Sequence, residues 1–240
     1  MSLAGLRIAH VSDFHFTRWT GTTRHAQHLL QTIDYDLLLV TGDFGNFHRH
    51  WPHAAEMTRK FFRPIADRAP AYAVLGNHDH PSFPTAGGLP ITFLRNQAAQ
   101  VPLRGTKINI AGVEQTVPRG GDLHGTLSQA DANAPTILLA HYPSTAFQLV
   151  GRNVQLVLSG HTHGGQIRLP WLGCLWPNDR VPRKMASGLH VVNDVHLHVS
   201  AGLGVSLPIR IRINCPPEIA IITMHSKTEP RPSGSGQHDV

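Results

Sequence analysis

Seven side chains with oxygen or nitrogen donors stand at the ends of short apolar runs. Asp13 and His15 follow "LRIAHVS", Asp43 follows "LLLVTG", and Asn77 follows "AVLG" with His78 and Asp79 directly behind it. His141 follows "TILLA", and His161 and His163 follow "VQLVLSG". Mixed carboxylate, amide and imidazole donors suit borderline divalent cations such as Mn²⁺, Fe²⁺, Zn²⁺ or Co²⁺. Seven donors exceed what one tetrahedral ion uses. They suit two ions roughly 3.5–4 Å apart that share a carboxylate. Asp13 and His15 are two residues apart, as are His161 and His163, so on extended chain each pair points the same way. Gly42, Gly76, Gly160, Gly164 and Gly165 lie among these groups and let the backbone turn sharply beside them.

Singly, these signals are weak. An Asp-x-His is most often a plain strand end, and Gly-Asp after a strand is a common turn. "GNHD" (76–79) and "GHTH" (160–163) are more specific. The five segments together, each at the end of an apolar run, point to one metal centre.

The runs that would position them are short and rich in Val, Ile, Leu and Ala, as in strands buried on both faces. Helical patterns separate some of them. In "TTRHAQHLLQTI", Ala26, Leu29, Leu30 and Ile33 share a face, with Thr22 or Thr23 as the N-cap. In "WPHAAEMTRKFFRPIADRA", Pro52 sits near a helix start, Met57 and Phe61 share a face, and Pro64 ends or kinks the helix. "PSTAFQLVG" is a weak, short helical candidate. Strand, crossover, strand is an α/β signature, and such sheets bind ligands beyond the carboxyl ends of their strands. "LHVVNDVHLHVSAGLG" reads as a hairpin turning at Asn193–Asp194. "LPIRIRINCPPEIAIITMH" gives two more strands, the first alternating Ile209, Ile211 and Ile213 with Arg210 and Arg212, so that one face is wet. These late strands are expected to be antiparallel and to complete a second sheet. Residues 1–225 read as one domain, and the Pro/Gly/Ser-rich tail 226–240 as disordered.

The 240 residues are 41% hydrophobic and 15% charged, values that suit a folded domain and not a disordered chain. Histidine stands out at 18 residues; it is the commonest metal ligand and titrates near neutral pH. The net charge of +6 favours anionic partners, but it is spread along the chain with no polybasic run. The two cysteines, Cys174 and Cys215, form neither a zinc-ribbon pattern nor a disulfide framework, and a reduced cytoplasmic setting is the simplest fit. No secretory leader or membrane-spanning run is read in the sequence.

The series "SDFH" (12–15), "GDF" (42–44), "GNHD" (76–79), "AHYP" (140–143) and "GHTHGG" (160–165) resembles the calcineurin-like metallophosphoesterases. "GHTHGGQIRLP" with "SAGLGVSLPIRIRINCPPEI" extends the resemblance to about residue 224. It narrows it to the bacterial branch of phosphodiesterases and UDP-diacylglucosamine pyrophosphatases, which includes membrane-associated enzymes. The resemblance implies an α/β fold, a four-layer α/β/β/α sandwich of two mixed β-sheets flanked by helices. It implies two divalent metal ions. One would take Asp13, His15, Asp43 and His163; the other would take Asp43, Asn77, His141 and His161. A metal-bridging hydroxide would then attack phosphorus in line, with His78 serving the leaving oxygen and Asp79 orienting His78. The partner implied is a phosphoester, small or lipid-linked, with peripheral contact at the inner membrane face. The competing readings are a nuclease of the same superfamily and a non-catalytic metal-binding protein. A nuclease should show a basic groove or stacking aromatics; neither is evident at 7% aromatic content. The intact donor set argues against the non-catalytic reading.

Two segments depart from the usual pattern. "AHYPS" carries Tyr142 and Ser144, and Tyr142 either shapes the pocket or only packs. "HPSFPTAGGLPITFLRN" after "GNHD" is poor in helix formers, so the helix usual there is expected to be cut down. The loop 169–184 holds Trp171, Leu172, Leu175, Trp176, Arg180, Arg183 and Lys184. It reads as a lid or lipid-facing loop, or as ordinary packing of its tryptophans on the sandwich, with packing favoured. His80 is a candidate for substrate contact. His48, His50 and His53, with Asn46, line the pocket or a solvated loop, and His196 and His198 read as structural.

Overall fold

Period-two alternation along the central strands sorts the apolar residues onto two sides of each sheet. The structure, a computed structural model, describes residues 3–116, 121–206 and 210–225. The elements run β1 (Arg7–Val11), α1 (Gly21–Thr32), β2 (Leu37–Val40), α2 (Trp51–Phe62), β3 (Ala71–Ala73), β4 (Thr92–Phe93), β5 (Gln97–Leu103) and β6 (Thr106–Val113). They continue as α3 (Leu123–Ser128), β7 (Thr136–Ala140), β8 (Leu156–Ser159), β9 (Arg168–Leu169), β10 (Gly173–Cys174), β11 (Gly188–Val192), β12 (Val195–Val199) and β13 (Ala220–Thr223).

Two mixed sheets face each other, in the orders β13-β1-β2-β3-β4 and β11-β12-β8-β7-β6-β5. In the first, β1 to β4 are parallel and β13 is an antiparallel edge. In the second, β6, β7, β8 and β12 are parallel, with β5 and β11 antiparallel at the edges. Ile8, Leu37, Leu39, Ile137, Leu139, Leu156 and Leu158 fill the space between the sheets. Ala9, Val11, Leu38 and Val40 turn outward, onto Ala26 and Leu30 of α1 and Phe61 and Phe62 of α2. Leu138, Ala140 and Val157 do the same on the second sheet, with Leu123 and Leu127 of α3 against them. The result is the expected four-layer sandwich, thin on the α3 side. Burial of both faces of β1, β2, β7 and β8 explains why they read as continuous apolar runs.

Local expectations are corrected in several places. Thr20, not Thr22 or Thr23, caps α1: its hydroxyl accepts the Thr23 backbone N–H at 3.1 Å. Thr20→Ala is expected to cost about 1 kcal/mol, measured as a lower midpoint in urea with an unchanged slope. Residues Pro143–Gln148 form a 3₁₀ helix, not an α-helix. The stretch after "GNHD" keeps only a 3₁₀ turn, Phe83–Thr85, in line with its poverty in helix formers. The β5–β6 hairpin adds to the expected elements; it turns at Arg104–Gly105, both at positive φ.

The C-terminal part departs furthest from expectation. The β11–β12 hairpin turns at Asn193–Asp194, both left-handed, as predicted. However, β13 closes the first sheet against β1, not the second. Of the strand expected at 209–213, only an isolated bridge between Ile167 and Ile213 forms, and Ile209 lies outside the described residues. Its burial departs from the sequence pattern: Arg210 is exposed as expected, but Ile211 is 56% and Ile213 43% exposed too, while Arg212 turns inward. The tail 226–240 also lies outside the described residues.

Candidate metal centre

All five segments lie beyond the carboxyl ends of parallel strands, after β1, β2, β3, β7 and β8. Pairing continues past the strands, since Asp13 and His15 donate their N–H groups to the carbonyls of Gly42 and Asp43, each at 3.0 Å. Asp13, His15, Asp43, His161 and His163 all adopt positive φ, between 45° and 69°. That conformation is uncommon for non-glycine residues and clusters at functional sites, where surrounding structure enforces it. Gly76 has no room for a side chain: a Cβ would strike the Asp43 carboxylate and come within 2.7 Å of the His141 ring.

Asp13, His15, Asp43 and His163 are buried, and one ligand atom from each lies within 4.8 Å of the others. His15 Nε2 and His163 Nε2 are 3.0 Å apart. Asp13 Oδ1 is 3.4 Å from His163 Nε2, and Asp43 Oδ2 is 3.6 Å from His15 Nε2. Among the described residues, His15 Nδ1 has no hydrogen-bond partner. Two carboxylates and two facing imidazoles with too few protons to share form a donor set that a divalent cation fits.

A second group meets the first at Asp43. Asp43 Oδ2 lies 3.3 Å from His141 Nε2, whose other close neighbour is Asn77 Oδ1 at 3.0 Å. His141 Nδ1 donates to the Thr41 carbonyl at 2.6 Å, which directs Nε2 at these oxygens. His161 Nε2 donates to the Asn178 carbonyl at 2.8 Å, leaving Nδ1 as its free donor atom. His163 thus belongs to the first group, and the His161 ring lies beside the second, its centroid 5.1 Å from that of His141.

Burial, above all, keeps three of the imidazoles neutral: it lowers His15 and His161 to about 4, and His163 well below its usual value. Burial would also lower His141, but Asp43 outweighs it and lifts His141 to about 9. In turn His141, then His15 and His78, hold Asp43 well below the carboxylate range against the effect of burial. In the metal-free protein His141 is thus protonated at pH 7. A cation must displace that proton, so apparent metal affinity should rise up to about tenfold per pH unit from 7 to 9. Titration calorimetry in buffers of different ionisation enthalpy would check this. The Asp43–His141 attraction stabilises the metal-free fold fully below pH 6.5 and is lost as pH rises through about 9.

Asp79 and His78 do not pair as expected. The Asp79 carboxylate accepts four backbone N–H groups, from Asp43 (2.8 Å), Phe44 (2.8 Å), Gly45 (3.2 Å) and Gly76 (2.9 Å). Burial and then Asp43 push its pKa up to about 7. Asp79 thus ties the "GDF" loop to the "GNHD" loop. His78 is oriented instead by the Asn46 carbonyl, which accepts its Nδ1–H at 3.0 Å. That leaves Nε2 of the half-buried ring outside this bond.

Two clefts flank the centre. One, of about 400 Å³, opens beside His15 and is lined by Asn46, Arg18, Arg210 and Thr17. The other, of about 680 Å³, opens beside His161 and is lined by Tyr142, Trp176, Arg180 and Arg183. Tyr142 shapes this wall: its ring lies 4.4 Å from that of His161, and burial raises its phenol to about 12. The tryptophans of 169–184 do not pack on the sandwich as favoured. Trp171, at the turn between β9 and β10, is 104% exposed and Trp176 74%. His80 stacks on Trp51 with ring centroids 5.7 Å apart, and His48 donates to the Asn77 carbonyl at 3.3 Å. His198 is structural, bonded to buried His10 at 2.9 Å and facing Glu218 at 3.3 Å. Sequence reading missed Asn178, which no motif marks, and misplaced Arg212 because its alternation with isoleucine resembled a half-wet strand.

The family described as calcineurin-like phosphoesterase matches residues 6–165. Uncharacterized metallophosphoesterase YkuE of Bacillus subtilis is 32% identical, covering 92% of this chain and 80% of that protein. Phosphodiesterase YaeI of Escherichia coli is 29% identical over 92% of this chain and 83% of its own. Among solved structures, a 5'-nucleotidase precursor from Thermus thermophilus superposes with a TM-score of 0.55 at 15% identity. It covers 91% of this chain, which spans only 54% of that structure, so the likeness is one of fold.

Proposed function

The chain belongs to the calcineurin-like phosphoesterases, metal-dependent phosphoester hydrolases, and from this premise we propose that it is a dimetal phosphodiesterase or pyrophosphatase. The observation that carries the dimetal reading is the position of Asp43. A single carboxylate oxygen lies 3.3 Å from His141 Nε2 and 3.6 Å from His15 Nε2, between the two donor groups. Asp13, His15, Asp43 and His163 would hold one ion; Asp43, Asn77, His141 and His161 would hold the other. When bound, two divalent ions supply a water activated at neutral pH and neutralise charge on the phosphoryl oxygens.

The protein's own groups do the rest. With Nδ1–H committed to the Asn46 carbonyl, His78 handles the leaving-group proton at Nε2. Asp79 holds the loops of Asp43 and Asn77 in register through its four N–H bonds, and so acts on the reaction through Asp43. Thr41 and Asn178 fix which nitrogen His141 and His161 present.

The finer reading is a nucleotide-linked lipid such as UDP-diacylglucosamine, taken at a membrane face. Its support is the groove beside His161, which combines Arg180 and Arg183 with Leu175 and Trp176, next to exposed Trp171 and Leu172. No helix among the described residues is long and apolar enough to cross a membrane, so the contact proposed is peripheral. The test is Mn²⁺-dependent hydrolysis of bis-p-nitrophenyl phosphate by protein first freed of metal, followed by UDP-diacylglucosamine in mixed micelles. Turnover that returns with Mn²⁺ supports the reading. No turnover with any divalent cation on either substrate would overturn it.

A further inference from the structure

Arg212 is a half-buried guanidinium that forms no ion pair with a carboxylate among the described residues. Backbone carbonyls take its place. Nη2 donates to Ala201 O (2.8 Å), Gly202 O (3.1 Å) and Gly204 O, and Nε also donates to Gly204 O (2.9 Å). Nη1 reaches Cys215 O at 3.4 Å and His163 O at 3.5 Å. An arginine fork has five N–H donors in one plane, and here they span three chain segments.

Two of those segments carry or back metal-site residues. His163 begins a run of four residues at positive φ, through Gly164 and Gly165 to Gln166, which local preference alone would not hold. Its carbonyl accepts from both Arg212 and the Cys215 thiol, the latter at 3.2 Å. The 201–204 segment lies against Asp13. Leu203 and Gly204 donate to the carbonyls of Ser12 (3.0 Å) and Asp13 (2.7 Å), and a Cβ on Gly202 would come within 2.7 Å of the Asp13 Cβ. Asp13 and His163 belong to the same half of the centre, their ligand atoms 3.4 Å apart.

We infer that Arg212 is the positioning residue of the Asp13–His163 half, clamping the backbone of His163 to the segment that backs Asp13. The inference rests on the metal-site reading. It distinguishes the two halves, because the hydrogen bonds of Arg212 go to the His163 side and not to Asn77, His141 or His161. A hydrophobic replacement removes the donor shared by these carbonyls, leaving Gly202 O and His163 O only their backbone and thiol partners, and a lysine, with one compact ammonium, cannot span all three segments.

The test compares wild type with Arg212→Met and Arg212→Lys by amide hydrogen exchange of the metal-free proteins and by calorimetric titration with Mn²⁺. In Arg212→Met, exchange should quicken in 161–166 and 201–204 while β2 and β7 keep their protection. Affinity for one ion of the two should fall about 10–100-fold, as for other groups that orient ligands. Arg212→Lys should fold, with a loss between wild type and Met. Unchanged affinity, or equal weakening of both ions, would overturn the inference. So would faster exchange throughout both sheets, the mark of general destabilisation. If Arg212→Met does not fold, wild-type affinity in Arg212→Lys overturns it alone. If wild-type protein binds no cation, the dimetal reading fails, and local exchange in 161–166 and 201–204 still decides the clamp.

Discussion

Asp43→Asn should abolish metal-dependent turnover, with kcat/KM on bis-p-nitrophenyl phosphate falling about 10³-fold, the upper range for losing one electrostatic contact at a reacting centre. The amide keeps the shape of the side chain and an oxygen able to accept the His78 N–H, a bond of 2.9 Å in the native protein. The fold should therefore survive. What is lost is the negative charge shared between His15 and His141, so both donor groups weaken together. Metal content after dialysis should drop by at least one ion per chain. Asp43 also holds His141 protonated in the metal-free protein, so the variant should lose the pH dependence of metal uptake between 7 and 9. Turnover within tenfold of wild type, with full metal content, would remove Asp43 from the centre and the dimetal reading with it.

The second large effect is on stability. Without a cation the centre packs His15, His163, Asp13 and Asp43 within 4.8 Å of one another, with Asp13 raised to about 6, chiefly by burial. Neutral imidazoles and crowded carboxylates away from water are costly unless something positive joins them. A cation that binds only the folded chain adds about 2.7 kcal/mol at a concentration 100 times its dissociation constant. For a domain of this size that shifts Tm by about 5–10 °C. Differential scanning calorimetry with EDTA and with Mn²⁺ should show that difference, and Asp43→Asn should erase most of it. Equal Tm values in chelator and in metal would mean that the centre does not bind the ion tightly.

Much of this protein was legible in its sequence because the signals were local and repeated. Five apolar runs, each ending in residues with donor atoms, announced buried parallel strands, and β1, β2, β3, β7 and β8 bring those residues together at their carboxyl ends. Burial on both faces wrote those strands as continuous Val, Ile and Leu, and turn chemistry at Asn193–Asp194 marked a hairpin. The α1 pattern gave the helix, but not its cap, because three threonines stood within reach of its start.

Other features depended on contacts that no short segment contains. β13 could join either sheet by its composition; it took the free edge of β1, 210 residues earlier in the chain by the pairing of His10 with Ala220. Arg212 alternates with isoleucines, which by period two should place it in water. Instead, the turns around Gly202 and His163 bring carbonyls of three segments together, and the long guanidinium fork of Arg212 reaches across them. Asp79 stands beside His78 in sequence, yet its carboxylate goes to four backbone N–H groups of two loops, and a carbonyl from Asn46 takes the imidazole. The left-handed backbone at Asp13, His15, Asp43, His161 and His163 belongs to the same class. Side-chain type chose the donors, and the packing of two sheets decided which atom of each donor faces the centre. Donor identity is a property of single residues, whereas donor geometry is enforced by hydrogen bonds between loops far apart in the chain.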